Sequence, residues 1–416
     1  MNRTTPQALP DLVVISHLRW PWVWQRPQHL VSRLAAERAR SGARTFFVEE
    51  PQPADVSAPE LVVEDAGAVV RVVLQVPEIP DGKYLGFVDP GGARYPELLA
   101  SALADLGVRP RPDAWLYTPM ALPFLEAVKP GLVVYDVMDD LASFEKAPAG
   151  LRERQRELLA VADLVFTGGR SLHHSITVLR DADVHMFASG VETEHYAKAK
   201  TSRQPEGLRP KVAGYIGVID ERIDLPLIAE LARHLDDWTI RMVGPVAKIE
   251  EQDLPRADNI EYPGMVSYDD LPAELARFDV AMMPFALNEA TARISPTKTL
   301  EYFAAGLPVV STRVPDVVAD YGATVHLADD GKAFATACRK ALTLPGPDAS
   351  PHVQSLLLHR EWDFIADAMG ELVERTRQRS RAGRSARRPV TPPASAPNTT
   401  GRLTTHAGNE RLAVQP

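Results

Sequence analysis

Cysteine is nearly absent: Cys338 stands alone among 416 residues. A lone thiol excludes an internal disulfide framework and any multi-cysteine zinc site, and a reducing compartment, the cytoplasm by default, is expected. Long apolar runs are lacking as well. Nowhere do about 18 apolar residues follow one another without a charge, so no membrane-spanning helix is expected. The opening MNRTTPQALPD lacks the apolar core of a secretory leader, so export is not expected either. No strand-like run leads into Gly-x-Gly-x-x-Gly, which argues against a nicotinamide enzyme. Positive charge is in short supply overall. The formal net charge of −9 argues against nucleic acid bound across the whole surface.

What is present is apolar sequence arranged in two blocks. With 45% apolar residues, the chain can build two α/β domains of ordinary size, each with its own core. LVVIS at 12–16 reads as a buried parallel strand, and RPQHLVSRLAAERARSG as a helix stopped by Gly42. TFFVEE, LVVED, VVRVVLQV, AWLYT, LVVYDVMDD and DLVFTGG continue the series, alternating with helices such as LRERQRELLAVA. Such alternation describes an open parallel sheet covered on both faces, which binds ligands beyond the carboxyl ends of its strands. After MFASGVETEHYAKAKTSRQPEGLRP the pattern restarts with VAGYIGVI and runs through a second open sheet. The expected division is a first Rossmann-like domain over 1–190, a second over 191–350, and a closing helical segment over 351–375 that crosses back to the first domain. Residues 376–416 are expected to form a disordered tail. It is basic: Arg375, Arg377, Arg379, Arg381, Arg384, Arg387 and Arg388 cluster there.

The stretch most suggestive of chemistry is SPTKTLEYFAAGLPVVST, from Ser295. Ser295 can cap a helix and Pro296 suits its first turn, which would aim free amides and the Lys298 ammonium at one anion. Glu301, one turn on, can accept two hydrogen bonds from a ribose diol. Gly306, Leu307 and Pro308 then stop the helix.

These residues resemble the second domain of glycosyltransferase family 4, in which a helical glutamate followed by Ala-Gly-x-Pro-Val-Val binds a nucleotide sugar. Glu301 matches the residue that takes the ribose hydroxyls. GYIGVIDERIDLPLIAEL is similar to the opening strand and phosphate loop, RMVGP to the second strand with its glycine turn, NIEYPGMVSYDDLPAELARFDVAMMPF to the segment over the base, and MFASGVETEHY to the interdomain stretch. The resemblance implies a two-domain GT-B fold, two doubly wound Rossmann-like domains facing a cleft. It places Ser295, Thr297, Gly217 and Gly244 beside the donor, with Lys298 and Arg222 on its diphosphate. The sequence departs from the family in two places. Arg293 stands where an acidic residue would contact the donor sugar, with Glu289 the nearest substitute, and Asp224 stands where a Lys would meet phosphate. Glu221 and Asp224 are acidic neighbours able to compete for Arg222.

In the first half, SHLRWPWVWQRPQHLVSRLA, with YDVMDDLASF, resembles a subgroup of bacterial glycosyltransferases acting on cell-surface polysaccharides. Trp20, Trp22 and Trp24 lie in the loop after the first strand, where aromatic faces can stack on sugar rings. At least one of the three is expected in the core. Gln25, Arg26, Gln28 and His29 open the next helix and can meet donor phosphate or acceptor hydroxyls, as can His17. Asp139 and Asp140 follow a buried strand at its ligand-binding end, and Asp136 is expected to secure local structure.

The function implied is transfer of a hexose from a nucleoside diphosphate sugar to a glycan or lipid-linked acceptor, with retention. Lys298 and Arg222, joined by Arg293, would stabilise the departing diphosphate, and Asp139 or Asp140 would sit in the cleft, Asp139 being the catalytic candidate. No cofactor and no metal are expected, since no Asp-x-Asp pair stands in a suitable loop. Peripheral contact with an anionic membrane through the tail is a further expectation. The rivals are a nucleotide-sugar epimerase, which would form product from donor alone, and a silent glycan-binding scaffold, which would bind without turnover.

Overall fold

The computed structural model describes residues 9–77, 86–87, 94–144, 147–203 and 209–386, with side chains through Ser380. The first half contains β1 (Leu12–Ser16), α1 (Arg26–Arg40), β2 (Thr45–Glu49), β3 (Gln52–Ala54), β4 (Glu60–Asp65), β5 (Val70–Pro77), α2 (Tyr95–Asp105), β6 (Asp113–Leu116), α3 (Phe124–Val128), β7 (Leu132–Val137), α4 (Leu151–Val161), β8 (Leu164–Thr167), α5 (Arg170–Leu179), β9 (Val184–Met186) and α6 (Thr193–Ser202). The second contains β10 (Lys211–Ile216), α7 (Leu225–His234), β11 (Trp238–Val243), β12 (Ile260–Gly264), α8 (Leu271–Leu275), β13 (Val280–Met283), α9 (Lys298–Ala304), β14 (Val309–Ser311), α10 (Pro315–Tyr321), β15 (His326–Leu327), α11 (Gly331–Ala341), α12 (Pro351–His359) and α13 (Trp362–Ala386).

The first sheet has the order β3-β5-β2-β1-β6-β7-β8-β9, with β4 paired antiparallel to β5. Its other pairs are parallel. β1 is apolar throughout because both faces are covered. Val13 and Ile15 join the core with Phe46 and Tyr95, while Leu12 and Val14 join the opposite core with Leu30 and Phe47. The second sheet is parallel, with order β12-β11-β10-β13-β14-β15 and one core. In each sheet the chain leaves the central strand in one direction and later returns on its other side. The crevice between β1 and β6, and that between β10 and β13, are where doubly wound sheets bind ligands.

Trp362, Ile365 and Met369 of α13 pack with Leu12, Leu30 and Leu34, so the closing helix does return to the first sheet. Among the described residues, no helix is long and apolar enough to cross a membrane. Disorder was expected from residue 376; the helix instead continues to Ala386. Arginine is a good helix former, so a basic composition does not end a helix by itself. The remainder of the tail, including Arg387 and Arg388, lies outside the described residues.

Candidate functional site

The loops at the two switch points meet in one hollow. Trp24, Met138 and Asp139 line it from the first domain; Gly217, Arg222, Lys298 and Glu301 line it from the second. The local fold explains this convergence. β10 is followed by Gly217 (φ +146), and β11 by Gly244 (φ +143), both in backbone conformations that favour glycine. A Cβ at Gly217 would overlap Lys298 Cε, and one at Gly244 would overlap the Gly217 carbonyl. The glycines thus let β10, β11 and the Lys298 stem come together, and Gly217 lines the hollow.

The expected Ser295 cap is corrected. α9 begins at Lys298 after Thr297, which makes no side-chain cap bond. Ser295 is turned against the first domain, where a Cβ at Gly169 would come 2.6 Å from Ser295 Cβ. Ser295 and Thr297 still line the hollow. Gly306 (φ +73) stops α9 as the sequence suggests, with the Leu307 amide donating to Tyr302 O at 2.9 Å. Because α9 has only seven residues, positive charge at its start comes chiefly from the lysine.

The Lys298 ammonium lies 5.7 Å from the Tyr215 ring centroid and makes no hydrogen bond or ion pair among the described residues. Burial lowers its pKa, an effect that Glu301 opposes. Burial raises the Glu301 pKa, while Lys298 and hydrogen bonds with Thr297 and Tyr196 pull it down. Burial also raises the pKa of Asp139, which Arg222, Lys248 and Lys298 oppose. An added anion would relieve the unpaired lysine charge without needing to displace an existing partner.

Arg222 is less available than its sequence position suggests. Its Nε donates to both Asp220 oxygens at 2.9 and 3.1 Å, and Nη2 to Oδ2 at 2.7 Å. Burial works against the guanidinium charge, but these bonds outweigh it and the pKa is raised. Asp220, not Glu221 or Asp224, is the partner; Asp224 caps α7 through the Leu227 amide at 2.9 Å. Arg293 does not line the hollow. Its Nη1 donates to Asp140 Oδ2 at 2.6 Å, joining the two domains. Lys248 stands 3.9 Å from the Phe144 ring centroid nearby, and Glu289 is exposed.

Several first-domain candidates are committed to structure. Arg26 Nε donates to both Asp136 oxygens at 3.0 Å and Nη1 to Phe187 O at 2.7 Å, so Asp136 does secure local structure. Gln25 and Gln28 form a capping box for α1. His29 stacks on Trp362 at 5.1 Å with a 10° interplanar angle, and burial lowers its pKa to about 3. His17 is lowered to about 4, again chiefly by burial. Trp20 packs on Phe47 at 5.0 Å and is the tryptophan drawn into the core. Trp24 lines the charged hollow and an adjoining apolar one, which Trp22 and Gly244 also line.

Sequence reasoning missed Tyr196 and Tyr268. Tyr196 lines the charged hollow beside Glu301. Tyr268 stacks on Trp24 at 5.0 Å and on His195 at 4.3 Å, and donates to Glu192, which also accepts from Arg33 at 2.8 Å. The tyrosines in ETEHY and VSYDD were the available signal, but nothing local to them indicates a meeting across the domain boundary.

Residues 210–343 match the family described as glycosyl transferases group 1. In overall form the chain is similar to a UDP-forming α,α-trehalose-phosphate synthase from Burkholderia xenovorans, with TM-score 0.64 and 12% identity over 88% of this chain and 99% of that one. It is also similar to Anabaena HepE in complex with UDP and glucose, with TM-score 0.62 and 15% identity over 88% and 99% of the respective chains. The fold is that of the GT-B glycosyltransferases. Along the sequence, 232 residues are 28% identical to a putative teichuronic acid biosynthesis glycosyltransferase of Bacillus subtilis, covering 52% of this chain. The match spans 57% of that relative's length. The charged hollow is therefore the interdomain cleft of a GT-B protein, with Lys298 and Glu301 inside the matched segment.

Proposed function

We propose that this GT-B protein transfers a hexose from a nucleoside diphosphate sugar to a hydroxyl of a glycan or lipid-linked acceptor, with retention at the anomeric carbon. The observation that carries the reading is the unpaired Lys298 ammonium, one helical turn from Glu301 in the same hollow. In this account Glu301 accepts from the ribose hydroxyls, and Lys298 with the remaining N–H groups of Arg222 stabilises the diphosphate as the bond to the sugar breaks. The acceptor proton passes to a departing phosphate oxygen, so no dedicated carboxylate base and no metal are required. Asp139 lines the same hollow within electrostatic reach of Arg222 and Lys298. Its own charge would repel phosphate, so it acts on the two cations rather than on the donor.

The bound ligands of HepE, UDP and glucose, belong to the class of molecule this account requires. Incubation with a panel of nucleotide sugars and glycan acceptors, with the anomer of the product read by NMR, tests the reaction. A glycoside of unchanged anomeric configuration supports it. Free nucleotide and an epimerised sugar without acceptor would transfer the reading to an epimerase, and binding without turnover to a silent scaffold. A lipid-linked acceptor would bring the chain to an anionic membrane surface, where each basic residue contributes about 1 kcal/mol. Vesicle sedimentation that weakens with salt and vanishes when 376–416 are removed supports that location; undiminished sedimentation of the truncated chain contradicts it.

A further inference from the structure

Beside the charged hollow lies one of different chemistry. Pro21, Trp22 and Trp24 line it from the first domain, and Pro245, Met265 and Val266 from the second. Trp22 is 42% exposed and Met265 is 50% exposed, so two large apolar side chains stand in water on walls from different domains. Trp24 closes one end by stacking on Tyr268 with a 22° interplanar angle. Val23, Trp24, Ile216, Gly217 and Leu271 line both hollows, which are therefore contiguous. A ligand spanning the pair needs a flat apolar end at Trp22 and an anionic body at Lys298. A nucleoside diphosphate has that distribution of charge.

We propose that the Trp22 loop of the first domain is the cover of the donor nucleobase, pressing it against Met265 and Val266, rather than a platform for the acceptor. The proposal rests on the nucleotide-sugar reading above and adds to it a base held between the two domains. Base binding then favours the closed cleft, because neither wall is complete alone. An apolar acceptor chain is the competing occupant, and it differs in what it predicts for the nucleotide.

Calorimetric titration of wild type, Trp22→Ala and Met265→Ala with UDP, GDP, ADP and inorganic pyrophosphate separates the cases. Loss of a stacking aromatic costs about 1–3 kcal/mol per base. The tightest nucleoside diphosphate should therefore weaken at least about fivefold in Trp22→Ala and also weaken in Met265→Ala, with pyrophosphate binding unchanged. Unchanged nucleotide affinity in both variants overturns the proposal, as does a parallel loss of pyrophosphate binding or an effect confined to the acceptor KM. If wild type binds pyrophosphate but none of the nucleotides, the cover is wrong while the anion site stands. If it binds none of the four, the nucleotide-sugar reading falls and takes the cover with it.

Discussion

The loops after β1 and β13 face the same cleft, but they use their charged residues differently. In the first domain, Arg26 is spent on Asp136 and Phe187, and His29 is sealed among aromatic rings. In the second, Lys298 has no ion-pair partner among the described residues and lines the same hollow as Glu301. A charge whose hydrogen bonds are already satisfied within the protein gains little from a ligand, whereas a half-buried ammonium without an ion-pair partner gains more. On the proposed reading, the comparison teaches that the second domain supplies the cations for the donor. The first supplies Asp139, apolar surface and the scaffold that holds the cleft.

The strongest way to break this comparison is to remove a charge from each side. Arg26→Ala should cost about 3–5 kcal/mol of stability, because it leaves the buried Asp136 carboxylate without its partner. Chemical denaturation should show a large drop in midpoint. A variant as stable as wild type that had lost donor binding would return Arg26 to the ligand. Lys298→Ala should show the opposite profile: turnover lower on the order of 100-fold, as for loss of one preorganised transition-state contact, with a nearly unchanged denaturation midpoint. Steady-state kinetics beside denaturation reads both.

The two histidines sharpen the contrast through pH. Burial lowers His29 to about 3 and His17 to about 4, from an ordinary 6.5. Below 6.5 the unfolded chain takes up protons that the folded chain refuses, so stability present above 6.5 is lost as pH falls towards 4 and then 3. His29→Phe should flatten part of that acid limb, measured as denaturation midpoints at several pH values. An unaltered limb would mean that His29 is protonated or hydrated in the folded protein. The smallest effect is expected from Arg293→Ala. Its pair with Asp140 is partly exposed, so stability should fall by no more than about 1 kcal/mol. A larger loss would make this cross-domain pair a principal clasp.

The second-domain side was the more legible in sequence because its signals are local. Glu301, Gly306 and Pro308 lie within a single helix and its stop, and the strand that follows is β14. The first-domain side was not, because its decisive partners are remote. Asp136 lies 110 residues from Arg26, and no local pattern ties Trp362 to His29. Arg222 shows a subtler failure. Asp220 is only two residues away, yet Glu221 stood nearer and Asp224 as near, and only the backbone turn decides which carboxylate meets the guanidinium. The alternating strands and helices revealed two open sheets, whereas the hairpin of β4 on β5 depends on pairing that periodicity does not specify.

The central claim is that Glu301 and Lys298 form the donor site. The most direct test is calorimetric titration of wild type and Glu301→Ala with the nucleoside diphosphate that binds wild type best. Hydrogen bonds to a charged group are worth about 1.5–3 kcal/mol, so the account predicts an affinity at least about tenfold lower in the variant. Equal affinity of the two proteins would contradict it.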